Sequence, residues 1–435
     1  MTDLSRRLGL FDATMIVMGG IVGAGIFINP YVVAQRVHTP LAILAAWIAG
    51  GAIALAGAFV YAELADRLPD VGGQYAYLRD AFHPMAAFLY GWTLLLVTQT
   101  GGMAAVAMTF AVYFRDLSGI GMTTPLLAVL TLVALTVVNC FGVRAGSNVQ
   151  STLMVLKIVA IAMLVLVGFI AGERAAASAT PSSIDPTSLP AFGAAMVPVL
   201  FAYGGWQTAS FVSGEMKAPR RDLPRALLIG VTGVIVLYVA VNVVCLRVLG
   251  PAALAETPTP ASEVMRRALG ATGGRLIAAG IAISTVGFLS QGMLTAPRVY
   301  FAMARDGVFF APVGYVQERT HAPVVAIALQ GLWACVIALS GRYEQILNYV
   351  VALDAVFFGL TGAALLVLRR REPSQPSEPG FRMPGHPWTT LAFVAAFWAL
   401  AANTIVRNPT SAGAGVLILV AGVPAYAFWS RRRRT

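Results

Sequence analysis

Two long apolar stretches of this chain are cut by glycine near their middles, at matching places in two successive halves. The first reads Gly19-Gly20-Ile21-Val22-Gly23-Ala24-Gly25-Ile26-Phe27, the second Phe201-Ala202-Tyr203-Gly204-Gly205-Trp206. Glycine in mid-helix loosens the backbone and frees N–H and C=O groups. Lipid cannot satisfy those groups, so they must line a protein cavity or hold a ligand. Paired breaks in corresponding halves point to a solute site near the bilayer midplane.

Composition places the stretches in a membrane. Only 11% of the 435 residues are charged, 58% are hydrophobic, and mean hydropathy is +0.77; a soluble domain carries roughly 25% charged residues. Long apolar runs, rather than short alternating ones, indicate an all-α polytopic bundle and not an outer-membrane barrel. The longest segment between runs, about residues 250–275, is loop-sized, so residues 1–435 read as one transmembrane domain. Cys140, Cys245 and Cys335 give neither a disulfide framework nor a metal spacing, and the four histidines are scattered. No metal or other cofactor is implied. The polar start Met1–Arg7 leads straight into the first span, which is expected to act as the insertion signal. The net charge of +11 sits between spans, which speaks for orientation in a bilayer and against nucleic acid.

Twelve spans are expected, at about residues 11–36, 40–66, 83–114, 122–142, 148–171, 190–214, 222–248, 273–304, 322–340, 342–368, 388–406 and 410–430. An even number puts both termini on one side, and Arg6, Arg7 and the run Arg431–Arg434 put that side in the cytoplasm of a cell membrane. Spans one to five (about 11–171) and six to ten (about 190–368) form two five-helix units, each opening with a broken helix. An odd number of helices inverts the second unit relative to the first. Spans eleven and twelve (about 388–430) are extra. Glu372–Pro387 reads as a polar linker, and the outer loop Pro251–Leu269 as helix-like pieces broken at Pro258 and Pro260 that could form a lid.

Unwinding near Val22–Gly25 exposes consecutive N–H groups at the start of the following half-helix, a terminus that attracts carboxylates. Ile21, Gly23, Ala24 and Gly25 are therefore the expected carboxylate side of the site. Gly19 and Gly23 also form a Gly-x-x-x-Gly face of the kind used for helix crossing, so packing is an equal alternative. Carbonyls freed around Phe201, Ala202 and Gly204 can accept from an ammonium group. A zwitterion fits between the two breaks, with Phe201 as the covering gate or, alternatively, an ordinary core or lipid-facing ring.

Several segments in order resemble one family. Gly23-Ala24-Gly25-Ile26-Phe27 and Phe201–Trp206 are similar to the first- and sixth-helix signatures of the amino acid–polyamine–organocation superfamily. Glu215-Met216-Lys217-x-Pro219-x-Arg221-x-Leu223-Pro224 resembles the stretch after the sixth helix in its L-amino acid transporter branch. Glu63-Leu64-Ala65 with Pro69-x-x-Gly72-Gly73-x-Tyr75, and Arg298-x-x-x-Ala302-x-Ala304-Arg305-Asp306-Gly307, resemble its segments after helix two and at the end of helix eight. The resemblance spans the chain. It implies the leucine-transporter-type fold, a 5+5 inverted repeat with broken helices one and six plus two extra helices, and amino-acid transport.

Of the 30 basic residues only Lys157 and Lys217 are lysines, and Lys157 lies within span five. A charge at that depth costs at least ~2.5 kcal/mol, so it should face the bundle and find partners. It stands about nine residues, or ~13 Å, from the inner end of its span, far for snorkelling to the interface. The resemblance implies that its ammonium replaces the second sodium ion of related carriers, bridging the first break near Gly20 or Ile21 to Ser284 of span eight. Asp354, in span ten, is a second intramembrane charge: a proton site, a counter-charge for a cationic substrate, or a structural acid. Val97–Thr100 and Phe357 or Phe358 are candidates for the pocket wall. Glu63, Asp66, Glu215, Lys217, Arg221, Asp222, Arg298 and Arg305 gather at the cytoplasmic ends, as gate ion pairs or as a solvated charged face.

The sequence thus reads as a sodium-independent exchanger or facilitator of neutral L-amino acids, not an enzyme, since the spans carry no nucleophile–base or metal constellation. A proton-coupled symporter and a non-translocating amino-acid sensor are its rivals. Its partners are the amino acid and the lipid bilayer, with no nucleic acid; an accessory subunit stays open.

Overall fold

The computed structural model describes residues 4–171, 189–340, 343–371, 380–407 and 409–432, and among them no strand forms. A helical stretch answers each expected span. The first is a bent pair, Leu10–Ile21 and Gly25–Ala34, turning by 41° at the break. Pro40–Arg67, Pro84–Ser118, Thr124–Cys140 and Val143–Ile170 follow. The sixth is Leu189–Tyr203 continued by a 3-10 helix, Trp206–Glu215. Then come Pro219–Glu256, Pro260–Arg305, Val324–Ser340, Tyr343–Arg371, Trp388–Arg407 and Pro409–Arg432. Seven of these helices are long and apolar enough to cross a membrane alone, eight if the bent pair counts as one.

Two local features were not legible in the sequence. Leu94–Thr98 of the third span is wound as a π-helix, with the Thr100 hydroxyl donating five residues back to Leu95 O at 2.6 Å. Such bulges shift the register of the side chains that follow and gather at functional sites. The second is the 3-10 run of the sixth span, which is long for its type.

The helix-like pieces expected in Pro251–Leu269 are continuations of the flanking helices. The seventh and eighth spans overrun their expected ends, bend at Gly250 and Gly270, both in the left-handed region, and meet at Thr257–Thr259. Leu254, Val264 and Met265 of this hairpin are buried against the bundle, beside Gly168 of the fifth span. It packs beside the end of the fifth span. Half of the expected linker, residues 372–379, and Arg433 and Arg434 lie outside the described residues.

At the end where both termini lie, the segment after the sixth span is tied down from three sides. Arg7 N and Leu8 N donate to Glu215 O at 2.9 and 3.0 Å, and Lys217 N returns to Leu8 O at 2.9 Å. Gly72 N donates to Phe211 O at 3.1 Å, and Ser213 Oγ to Asp70 O. Arg298 of the eighth span grips Glu215 in a two-pronged pair, 3.1 Å at each prong, with both side chains wholly buried.

The expected charged cluster does not form one network. Glu63 accepts from Arg67 at 3.0 Å, from Arg369 of the tenth span at 2.8 Å and from Met383 N at 2.8 Å. Asp66 accepts from Phe381 N at 3.1 Å. Arg79 joins Asp306 at 2.8 Å, and Tyr75 donates to the same carboxylate. Arg221 holds its own neighbour Asp222, while Lys217 is exposed and Arg305 lies over the Phe301 ring. Arg369 and Arg79 were missing from the sequence-based set; Glu63 and Asp306 lie far from them along the chain, although Arg79 also holds its neighbour Asp80 at 2.7 Å.

Removing one member of a buried, forked pair strands the other charge, at a cost of about 3–5 kcal/mol. Glu215→Ala and Arg298→Ala should each lower the melting temperature of the purified protein markedly, whereas Lys217→Ala should leave it unchanged. Equal melting curves for all three would refute the tie.

Candidate functional site

The two breaks touch backbone to backbone. Gly205 adopts φ +110°, and a Cβ there would collide with the Gly20 carbonyl; a Cβ on Gly20 would meet Gly205 O in turn. Glycine is required at this crossing for two reasons, the positive φ and the absence of space. Gly19 is close to Gln150 of the fifth span in the same manner. The packing and site readings of these glycines are therefore not rivals: the close approach is what brings the two breaks together.

The carbonyls freed at the first break find donors on three other spans. Lys157 Nζ donates to Val22 O at 2.6 Å and reaches Gly19 O at 3.4 Å. Tyr238 Oη of the seventh span lies 3.1 Å from Ile21 O and 3.3 Å from Ala202 O, a single hydroxyl shared by both breaks. Ser284 Oγ of the eighth span donates to Gly23 O at 3.1 Å. Lys157 thus contacts Gly19 and Val22 rather than Gly20 or Ile21, and Ser284 takes the adjacent carbonyl. Gly19 and Val22 flank Gly20 and Ile21, so the ammonium reaches the carbonyls on either side of the two residues expected. Gly287 leaves room on the eighth span for the lysine stem. The fifth span follows the first for several turns: Ser147 donates to Asp12 at 3.2 Å, Gln150 to Met15 O at 3.4 Å, then Lys157 to the break.

The N–H groups are treated differently. The second half-helix begins at Gly25, and Ala24 at its cap offers no side-chain acceptor. The first N–H groups of a helix have no preceding turn to bond, and Gly23, Ala24 and Gly25 face a cavity of about 300 Å³. Ile21, Phe201, Ala202 and Gly204 line the same cavity, so every residue expected at the two breaks meets there. Phe201 O already accepts from Gly204 N at 3.2 Å; a carbonyl retains a second lone pair for a ligand.

Asp354 also lines this cavity, as do Thr98 and Gln99 from the π-wound turn. Of the candidate wall residues Val97–Thr100, these two face the cavity, while Val97 packs on Val350 and Leu353. Phe358 faces inward; Phe357 packs elsewhere, against Tyr90 at 5.3 Å. Asn29 was missed in the sequence: it lines the cavity and donates to Pro198 O at 2.8 Å, linking the second half-helix of span one to the first helix of span six. Its signal was a lone amide in an apolar half-helix.

The cavity is closed toward the termini. Gln291 bonds Thr208 across its floor, and below it Trp206 packs on Tyr61 and Phe358 with ring centres 4.7 and 5.3 Å apart. On the other side Phe201, one turn from its break, is 46% exposed.

Residues 8–425 match the family model for amino acid permeases. The chain belongs to that family. It is 29% identical over 436 residues to a serine/threonine exchanger of Bacillus subtilis (strain 168), covering 99% of this chain and 98% of the relative. Identity is also 29% over 448 residues to the human large neutral amino acids transporter small subunit 2, covering 99% and 82% of the two chains. A b(0,+)-type amino acid transporter 1 from Mus musculus is 29% identical over 384 residues, covering 86% and 79%. This permease is an amino-acid transporter and not an enzyme, a multi-pass helical membrane protein of the amino acid–polyamine–organocation superfamily with the leucine-transporter-type fold.

Because Gly205 both bends left-handed and abuts Gly20, Gly205→Ala should separate the breaks. Amino-acid-induced stabilisation in a thermal-shift panel, several degrees for the wild-type chain at saturating ligand, should vanish in the variant. A normal ligand shift would show that the crossing does not shape the site.

Proposed function

We propose that the permease carries amino acids by alternating access, with the α-carboxylate on the N–H groups at Gly23–Gly25 and the ammonium on carbonyls around Phe201, Ala202 and Gly204. The observation that carries this reading is the single cavity where a helix N-terminus and freed carbonyls face each other. A zwitterion satisfies both ends at once. Phe201, exposed at the mouth, is the outer gate.

Lys157 supports sodium independence. Its ammonium occupies the space between the first break and the eighth span and supplies a positive charge to the carbonyls of Gly19 and Val22. With Ser284 on the next carbonyl, no ion is needed to hold the spans together. Spans one to five, about 11–171, and six to ten, about 190–368, are the two inverted units, with about 388–430 extra. The termini are cytoplasmic, in the cell membrane, as the arginines flanking the chain suggest. The conformation is then closed inward and open outward, with the pairs Glu215–Arg298 and Glu63–Arg369 breaking as the inner side opens. Exchange of neutral amino acids is the favoured mode, in keeping with relatives named as a serine/threonine exchanger and a large neutral amino acids transporter.

Proteoliposomes holding this chain alone test the reading. Labelled neutral amino-acid uptake should rise with internal substrate, persist when sodium is replaced by choline, and need no accessory subunit. Lys157→Ala should reduce the rate by about tenfold or more, the worth of a charged hydrogen bond at the break, in protein that stays monodisperse. Strict dependence on a sodium gradient, or wild-type rates in the variant, would overturn the lysine's role. Uptake driven by a pH gradient without internal substrate would instead favour proton symport, and saturable binding without flux a sensor.

A further inference from the structure

The cavity has a neutral floor and walls with one exception. Asp354 is the sole ionisable side chain among the described residues lining it. Its carboxylate accepts from the Thr98 hydroxyl and, among the described residues, forms no ion pair. One neutral donor fills a fraction of the roughly four acceptor positions of a carboxylate. The other buried charges are better matched: Lys157 has two carbonyls, and Glu215 and Arg298 have each other.

The placement of Asp354 follows from the two breaks. With carboxylate and ammonium of an amino acid fixed there, its side chain is left to the wall built by the third and tenth spans, which is where Thr98 and Asp354 stand. The rings of Phe201, Phe288, Phe358 and Phe397 line the same cavity. A carboxylate among aromatic faces suits an ammonium or guanidinium, through the ion pair and through cation–π attraction. The volume, about 300 Å³, leaves room for a side chain of that length. A substrate without a side-chain cation leaves Asp354 on Thr98, as it stands now, so neutral amino acids are still admitted.

We propose, resting on the transport reading above, that Asp354 is the side-chain counter-charge of the site and that the permease also carries amino acids with cationic side chains. Exchange of such a substrate for a neutral one moves one net positive charge per cycle.

The experiment compares side chains of similar length that differ in charge, lysine against norleucine and arginine against citrulline, as competitors of labelled neutral amino-acid uptake into proteoliposomes. The cationic member of each pair should compete at a concentration lower by about tenfold or more, the worth of a hydrogen bond to a charged group. A negative-inside potential should speed uptake of labelled lysine in exchange for internal norleucine. Asp354→Asn should erase the preference, the ratio within each pair being the readout whatever the variant's rate. If the variant does not fold, the wild-type ratios decide alone. Competition by norleucine and citrulline but not by lysine and arginine would overturn the proposal. If no amino acid is taken up at all, the transport reading fails instead. Calorimetric titration of lysine and norleucine on the purified wild-type chain then decides on Asp354: tighter binding of lysine sustains the proposal, and tighter binding of norleucine overturns it.

Discussion

The structure depends on one constraint, that a peptide group deep in the bilayer has no solvent to bond. Breaking a helix there is tolerable only when the surrounding protein supplies the missing donors and acceptors. At the first break Lys157, Tyr238 and Ser284, on three different spans, supply donors to the carbonyls of Gly19, Ile21, Val22 and Gly23. The N–H side is left facing a cavity. The asymmetry is chemically meaningful, since donors without a preceding turn at a helix start favour an anion, as the proposed carboxylate contact requires.

The same donors bind the moving parts together. Tyr238 sits between the carbonyls of Ile21 and Ala202, so the seventh span senses both breaks at once. It is packed against Trp47 and Tyr203 with ring centres 5.7 and 5.1 Å apart, which fixes the hydroxyl without a further partner. Lys157 and Ser284 join the fifth and eighth spans to the unwound turn. A rearrangement of the first span therefore has to be shared with the fifth, seventh and eighth. At the terminal end the bonds are of another kind: a wholly buried forked ion pair, backbone bonds from the chain's beginning, and Glu63 clasped by arginines of two spans. Charged pairs of this sort are costly to form in a dry interior, and their attraction is recovered only while the fork geometry holds. They therefore behave as discrete latches rather than graded springs.

Much of the outline was readable along the chain because it depends on local properties. Apolar run length gives spans, glycine in the middle of a run gives a break, and a lysine amid apolar residues demands partners. The misreadings share a cause. In Pro251–Leu269 the prolines that interrupt the pattern hid how far the seventh and eighth spans run, for Pro260 stands at the first turn of a helix, where a missing N–H costs nothing. Ser284 was tied to the lysine itself rather than to the neighbouring carbonyl, since register across a helix pair is not encoded in either strand of sequence alone. Tyr238 and Asn29 gave too little signal, one aromatic or amide among many.

By itself the sequence determined that this chain is a helical membrane protein, that its first and sixth spans are broken, and that Lys157 and Asp354 are charges needing an explanation, because each of these follows from residue type and spacing within one segment. Tertiary structure alone decided that Gly20 and Gly205 touch, that Lys157 serves Gly19 and Val22, and that Asp354 and Thr98 face the same hollow as both breaks. Those are relations between segments far apart along the chain. They are set by how the helices rotate and cross, and by a π-wound turn in the third span that shifts which side chains face inward.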